Sequence, residues 1–223
     1  MGRNFAAALL VFLCLASAAR ADLVLVQRVE GGGMEGEMTI RIHEKKVRAD
    51  IAPGISTIVD GEKGETIVLQ HKTKIFNRIT AEQTKALAEQ LLLAQAGSTP
   101  GKLTPTTEKK EILGHQTQAW LWVVGQMKMK FWVCTDFPNA DAIQQQLNGL
   151  QTTGLAPIAA SLMPDPKLMP GLRLRTEFEM GAQKVATTIQ SVKQDAVDLT
   201  IFDVPKGYRE VTLPVTGAGQ PEK

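Results

Sequence analysis

The chain has few of the residues that usually reveal a chemical function. It contains two cysteines, three histidines and one tyrosine among 223 residues. Cys14 lies within a predicted cleaved leader, so the mature chain keeps only Cys134 and cannot form an internal disulfide. Its stability must therefore come from core packing. Cys134 lies in the apolar segment 127–134, which predicts a small buried hydrophobe rather than a reactive thiol.

The sequence also lacks an excess of charge of either sign. Cleavage of the leader removes Arg3 and Arg20 from the 25 basic residues and none of the 23 acidic ones, so the mature chain carries no net charge. A neutral chain has no electrostatic footprint for nucleic acid, and no polybasic patch suggests a membrane surface. Any partner is expected to be recognised through shape and apolar contact.

The only long apolar run is at the N-terminus, where residues 1–21 have the pattern of a cleavable signal peptide. Arg3 precedes the apolar run 5–16, and Ala19 to Ala21 form a small-x-small cleavage site. The run is shorter than the ~20 residues of a spanning helix, which disfavours a transmembrane anchor. Leu13 is too bulky for the position before a lipidated Cys14. We therefore expect export to the periplasm and a mature protein without a membrane-spanning segment; secretion from the cell stays an alternative.

Catalytic and metal-binding patterns are missing. His43, His71 and His115 are far from one another and from Cys134 in sequence, without the short spacings that aim two ligands at one metal. The glycines at 31–33 are not followed by the helix and lysine of a phosphate-binding loop. We accordingly predict no metal, no cofactor, no catalytic residues and no enzymatic activity; a hydrolase is the weakest alternative.

Period-two alternation dominates the mature chain and predicts short antiparallel strands. Such strands fill residues 22–80. A capping box at Thr80–Gln83 starts a helix that extends to residue 96, and residues 97–107 read as a loop. Strands resume over 108–134, followed by helices at 136–150 and 155–163 and strands at 172–180, 184–194 and 196–202.

This order predicts one domain, residues 22–213, with a disordered tail at 214–223. Its fold class is α+β: a large curved antiparallel sheet, a half-open barrel, whose concave apolar face is covered by the inserted helices. The segments 55–64, 72–79 and 202–208 resemble the exported domain of unknown function 4412 family, itself described as LolA-like (outer-membrane lipoprotein carrier-like). The resemblance implies a non-enzymatic envelope protein with a half-barrel able to hold an acyl chain or an apolar protein segment. It implies no catalytic residues.

The residues 172–180 alternate most cleanly. Leu172, Leu174, Phe178 and Met180 are predicted on one face, and Arg173, Arg175, Glu177 and Glu179 on the solvent face. A preceding hairpin aligns tryptophans on one strand with methionines and a phenylalanine on the next. Together these patterns predict an apolar ligand-binding lining formed by Trp120, Trp122, Met127, Met129, Phe131, Leu174, Phe178 and Met180.

Two functions fit this lining. The first is binding or carrying a hydrophobic ligand, such as a lipid, an acyl chain or a lipoprotein. The second is a structural or protein-interaction module of the envelope whose core is filled, which is the commoner origin of such apolar faces. Both readings predict a monomer with a lipid, lipoprotein or envelope protein as partner.

Overall fold

The computed structural model describes residues 22–33, 35–51, 54–95, 101–150 and 163–212. The predicted signal peptide, the tail at 214–223 and all but the last residue of the predicted helix at 155–163 lie outside the described residues.

Within this part of the chain, one sheet of 12 strands dominates the fold. The strands are β1 (Leu23–Gly31), β2 (Gly36–His43), β3 (Lys46–Ile51), β4 (Ile55–Asp60), β5 (Glu65–Gln70), β6 (Ile75–Ile79), β7 (Lys102–Ile112), β8 (His115–Val124), β9 (Met127–Cys134), β10 (Leu172–Met180), β11 (Gln183–Lys193) and β12 (Arg209–Glu210).

The strand order across the sheet is β12-β6-β5-β4-β3-β2-β1-β11-β10-β9-β8-β7. Consecutive strands form hairpins within β1–β6, within β7–β9 and between β10 and β11. β1 joins the two halves of the sheet by pairing with both β2 and β11. All pairs are antiparallel except the short pair of β12 with β6, which is parallel. The predicted α+β class and the large open antiparallel sheet are therefore confirmed.

Helices are inserted twice between these strands, as predicted. α1 (Ala81–Gln95) begins at the predicted capping box, in which the Thr80 amide donates to Gln83 Oε1 at 2.9 Å and the Gln83 amide donates to Thr80 Oγ1 at 3.3 Å. α2 (Ala140–Leu150) packs against β10 and buries Ile143. No helix among the described residues is both long and apolar enough to span a bilayer.

Two local predictions are wrong. Residues 102–107, predicted as loop, begin the edge strand β7, because Lys102 to Pro105 pair with Val123 to Trp120 of β8. Residues 199–202, predicted as strand, form a 3-10 helix whose N-cap is Asp198, with the Thr200 amide donating to its carboxylate. This helix places Phe202 in a cluster with Ile58, Ile67, Leu69 and Phe76 instead of extending the sheet.

Candidate functional site

The predicted Trp/Met surface exists on one face of the three neighbouring strands β8, β9 and β10. Cross-strand partners in an antiparallel sheet point to the same face. Trp120 pairs with Phe131, and Trp122 pairs with Met129. Met129 pairs in turn with Phe178, and Met127 pairs with Met180. Seven of the eight predicted residues therefore share a face: Trp120, Trp122, Met127, Met129, Phe131, Phe178 and Met180.

Most of this surface is packed. Phe131 is 0 % exposed, Trp122 6 % and Met129 8 %. Met169 and Val133 belong to the same buried cluster, and Leu103, Val124 and Met163 pack against it. Met180, at the end of β10, is 48 % exposed. The centre of the predicted lining is thus the core of the β7–β10 half of the sheet, which we call the Trp/Met core.

Leu174 does not belong to this surface, contrary to the predicted face. Leu172 pairs with Cys134, but Arg175 pairs with Trp132, so the register shifts by one residue at Leu174. Cys134 and Met129 lie on opposite faces of β9 because five positions separate them. Leu172 and Phe178 are consequently on opposite faces, and Leu174 is buried in a second cluster with Leu23, Leu25 and Ile189.

The same register shift also divides the four residues of the predicted polar face between the two faces of the sheet. Arg173 pairs with Val133 and its guanidinium lies 5.6 Å from the centre of the Phe131 ring, on the face of the Trp/Met core. Arg175, Glu177 and Glu179 lie on the other face, since they pair with Trp132, Lys130 and Lys128. They do not simply face water there, as the alternation predicted.

These residues instead border a groove of about 630 Å³. Its lining comes from six strands, β1 and β7 to β11. One row across the sheet consists of Leu121, Lys130, Glu177, Ala186 and Glu30, each paired with the next. The full lining is Glu30, Gly31, Thr106, Glu108, Leu121, Lys128, Lys130, Arg175, Glu177, Phe178, Glu179, Lys184, Val185 and Ala186. Of the predicted residues, only Phe178 borders it.

Ion pairs fix the charged walls of this groove. Arg175 bridges two carboxylates, with Nη1 2.8 Å from Glu30 Oε2 and Nε 2.8 Å from Glu177 Oε1. Lys130 Nζ lies 2.8 Å from Glu108 Oε2, and the pair of Lys184 with Glu179 is looser at 3.7 Å. Each of the four carboxylates of the lining takes part in an ion pair, and Glu30 has Arg28 as a second partner at 3.3 Å. Lys128, by contrast, takes part in none of the ion pairs of the described residues.

The pKa values of the wall residues follow from these contacts. The Arg175 hydrogen bond and its positive charge hold the pKa of Glu30 below its usual value. Burial acts to raise the pKa of Glu177, but hydrogen bonds from Arg175 and from the Trp132 indole outweigh it and lower that pKa. The indole nitrogen of Trp132 lies 3.1 Å from Glu177 Oε1. Both carboxylates thus stay ionised near neutral pH.

A second polar cluster lies in the other half of the sheet, and sequence reasoning missed it. Ser56 is 0 % exposed; its hydroxyl lies 2.6 Å from Asp50 Oδ1 and 2.6 Å from His71 Nε2. His71 Nδ1 lies 2.5 Å from the Tyr208 hydroxyl, and Arg48 contacts both Asp50 and Ser56. The segments that carried the family resemblance contain Ser56 and Tyr208, the chain's one tyrosine, and are the signal that could have located it.

The hydrogen bonds of this cluster hold separate segments of the chain together. A neutral His71 that accepts from Tyr208 can donate to Ser56, whose hydroxyl then donates to Asp50, so each polar atom is satisfied. A shallower pocket of about 320 Å³ borders Ser56, Asp50 and His71. The cluster ties β3 and β4 to the C-terminal segment, because Arg48 Nη1 also donates to the Ile201 carbonyl at 2.8 Å.

A third cluster brings one of the three histidines, His115, close to Cys134, although the sequence spacing predicted no such group. His115 opens β8, Cys134 ends β9, and these strands are paired. Cys134 Sγ donates to Asp136 Oδ1 at 3.0 Å, and His115 Nδ1 lies 3.5 Å from the same oxygen. Cys134 is free and buried as predicted, and burial raises the pKa of its thiol to about 11. Nitrogen, sulfur and oxygen ligands thus converge at one end of the β8–β9 hairpin.

Comparisons with known proteins give a family and distant structural neighbours. The family model named Domain of unknown function (DUF4412) matches residues 24–208. No curated protein sequence shows a significant match to the chain.

Among solved structures, PNGF-II in two crystal forms gives TM-scores of 0.41 and 0.42 at 13 % identity, covering 86 % of this chain but 32 % and 31 % of PNGF-II. The chain thus spans about a third of the length of PNGF-II. The lipoprotein LppX of Mycobacterium tuberculosis gives 0.41 at 10 % identity, covering 80 % of this chain and 88 % of LppX. LprF of Mycobacterium bovis gives 0.37 at 10 % identity, covering 85 % of this chain and 90 % of LprF.

Proposed function

The chain belongs to the DUF4412 family, and we propose that it is a non-enzymatic exported protein of the cell envelope that binds an amphiphile in the six-strand groove. The ligand has an apolar chain and an anionic head group. The observation that carries the proposal is the groove itself, since its volume of about 630 Å³ falls within the 300–1,000 Å³ typical of ligand pockets.

The chemistry of the groove selects such a ligand. Leu121 and Ala186 contribute apolar side-chain surface between charged walls, on the face that also carries Glu177 and Lys130. An apolar chain that covers them removes this surface from water, which is worth roughly 25 cal/mol per Å². Lys128 supplies the positive charge for the head group, because the carboxylates of the lining are already paired with other cations. The proposed ligand is thus of the class predicted from the sequence, but its proposed site is on the face of the sheet opposite the Trp/Met core.

The absence of enzymatic activity is part of the proposal. It is supported by the pKa values of the groove carboxylates and by the hydrogen bonds of the buried serine. A general acid or base works best with a pKa near the operating pH, whereas the pKa values of Glu30 and Glu177 are lowered. The hydroxyl of Ser56 is fully buried and occupied by Asp50 and His71. An esterase or protease activity of the purified protein would contradict this part.

Export to the periplasm rests on the pattern of residues 1–21. In that compartment the ligand would be a membrane lipid, a fatty acid or the acyl chain of a lipoprotein. Expression of the full chain should yield a periplasmic protein that starts at Asp22, as checked by N-terminal sequencing after cell fractionation. A protein recovered with residues 1–21 still attached would refute this step.

The binding experiment uses protein from residue 22 onward and a fluorescent fatty acid such as dansylundecanoic acid. We expect saturable binding that unlabelled fatty acid displaces. Leu121→Arg should weaken it at least about tenfold, because an apolar contact is replaced by a buried charge. Lys128→Glu should weaken it by reversing the charge that faces the head group, and Lys128→Met should weaken it less.

Lys72→Glu is the matched control, since it makes the same charge change at an exposed turn far from the groove. Circular dichroism confirms that each variant is folded. Binding that falls equally in Lys72→Glu and Lys128→Glu, or a wild-type protein that takes up no probe, would argue against the groove as a ligand site.

The filled Trp/Met core favours the second function, an envelope module that binds a protein. The free edge of β7 is not suited to strand addition, because Pro105 and the charged residues Lys109, Lys110 and Glu111 protect it. A protein partner would therefore have to bind a face of the sheet. A negative result in the fatty-acid titration together with a specific envelope protein crosslinked to Leu121 would support this alternative.

A further inference from the structure

The geometry at the end of the β8–β9 hairpin points to a metal site: we propose that His115, Cys134 and Asp136 bind one divalent ion of the zinc class. This site is separate from the groove and independent of the proposed ligand.

The sheet topology brings the three residues together. Gln118 at the start of the β8–β9 pairing is opposite Val133, so His115 and Cys134 lie at the same end of this strand pair. Asp136 joins them through direct contacts, because its Oδ1 lies close to both Cys134 Sγ and His115 Nδ1. Two ligands are therefore held by a regular strand pair, and Asp136 follows β9 by two residues.

The distances match a metal polyhedron after small movements. Zinc bonds of about 2.3 Å to sulfur and 2.0–2.2 Å to nitrogen and oxygen place tetrahedral ligands roughly 3.3–3.6 Å apart. The Cys134 Sγ to Asp136 Oδ1 distance is 3.0 Å, and His115 Nδ1 to Asp136 Oδ1 is 3.5 Å. All the ligand atoms lie within 4.8 Å of one another. An ion would fit with ligand shifts of about 1 Å or less.

The ligand chemistry favours zinc over hard cations. Thiolate and imidazole suit Zn²⁺, whereas Mg²⁺ and Ca²⁺ prefer all-oxygen sites. Three protein ligands leave the fourth position for water. Phe137, whose ring centre lies 5.0 Å from that of His115, restrains the imidazole. His115 and Phe137 border a pocket of about 340 Å³, and Asp136 is exposed, so the ion can enter from solvent.

Binding of the metal ion would release the thiol proton of Cys134. The S–H bond of Cys134 breaks, its proton passes to solvent, and a zinc–thiolate bond replaces the Cys134–Asp136 hydrogen bond. No electron is transferred, so the step needs no oxidant or reductant.

Cobalt(II) titration of the reduced protein from residue 22 onward tests the site, because a cobalt–thiolate bond has a near-ultraviolet charge-transfer absorption. We expect saturation at one ion per chain and displacement by Zn²⁺. Cys134→Ser should abolish the band. His115→Gln and Asp136→Asn should weaken binding by more than about 100-fold, since loss of even outer-shell partners costs 10–100-fold. Asp136 is exposed, so Asp136→Asn keeps the test valid if Cys134→Ser fails to fold.

His43→Gln is the matched control. His43 also contacts a carboxylate, with Nδ1 2.7 Å from Asp22 Oδ1, but β2 is separated from the Cys134 strand β9 by three strands of the sheet. The control should bind cobalt like the wild type. A wild-type protein without the thiolate band, or a loss in His43→Gln equal to that in His115→Gln, would overturn the proposal.

Discussion

Replacing Phe131 in the Trp/Met core is expected to cause a large loss of stability. This side chain is 0 % exposed and is surrounded by Trp122, Met129 and Met169 in one buried cluster. Phe131→Ala removes a complete buried ring, so it loses the full transfer term of about 1.5–3 kcal/mol. The surrounding side chains come from paired strands and can close the space only in part, which adds a cavity term and brings the expected loss to about 3–5 kcal/mol.

Urea denaturation followed by circular dichroism measures this loss as a lower midpoint with an unchanged slope. Val123→Ala on β8 is the control, because Val123 is 38 % exposed and its truncation should cost less than about 1 kcal/mol. Fatty-acid binding by folded Phe131→Ala should stay close to wild type, since Phe131 does not line the groove.

The reasoning would be refuted by the opposite pattern. A loss of stability below about 1 kcal/mol together with much weaker fatty-acid binding would mean that Phe131 faces a ligand cavity. The lining predicted from the sequence would then be the binding site, and the groove on the other face would not.

Three further predictions concern polar and backbone features. Ser56→Ala should cost about 1–3 kcal/mol in urea denaturation, because it removes the buried hydroxyl that joins Asp50 to His71 and leaves His71 Nε2 without its partner. Ser191→Ala, on a half-buried strand position, is the control and should cost less. Burial acts to raise the pKa of Asp50, but hydrogen bonds from Ser56 and Arg48 and nearby arginine charges lower it. Asp50 therefore stabilises the fold above its unfolded pKa of about 3.9, and this contribution is lost as the pH falls through the lower folded value. Between about pH 5 and about pH 2, the free energy of unfolding of the wild type should fall more steeply than that of Asp50→Asn. Equal slopes for the two proteins would count against the network. Gly171→Ala should cost about 1–3 kcal/mol, since its φ is +116° and a Cβ would lie 2.1 Å from the Cys134 carbonyl oxygen; an unchanged thermal midpoint would contradict this.

Local patterns were sufficient for most of the secondary structure. The capping box at Thr80 and Gln83 correctly started α1, and period-two alternation located the strands of both halves. Local patterns gave the wrong secondary structure where contacts with distant parts of the chain determine it. Residues 102–107 look like loop but pair with β8, and residues 199–202 look like strand but pack Phe202 against β4 to β6.

The candidate sites depended more on tertiary structure. The sequence by itself determined that apolar residues alternate along β8 to β10 and that residues 22–223 hold one cysteine, because both are properties of local order and composition. Only the folded sheet decided which apolar residues share a face. The register shift at Leu174 leaves no trace in the alternation, yet it puts Leu172 and Phe178 on opposite faces.

Pairing between strands also decided which polar residues meet. His115 and Cys134 are distant along the chain and become neighbours because β8 and β9 pair in antiparallel register. Arg175 reaches Glu30 because β11 lies between β10 and β1 and pairs with both. Sequence order determines the strands, but the long-range hydrogen bonds between them determine which side chains form the groove and the cluster of His115, Cys134 and Asp136.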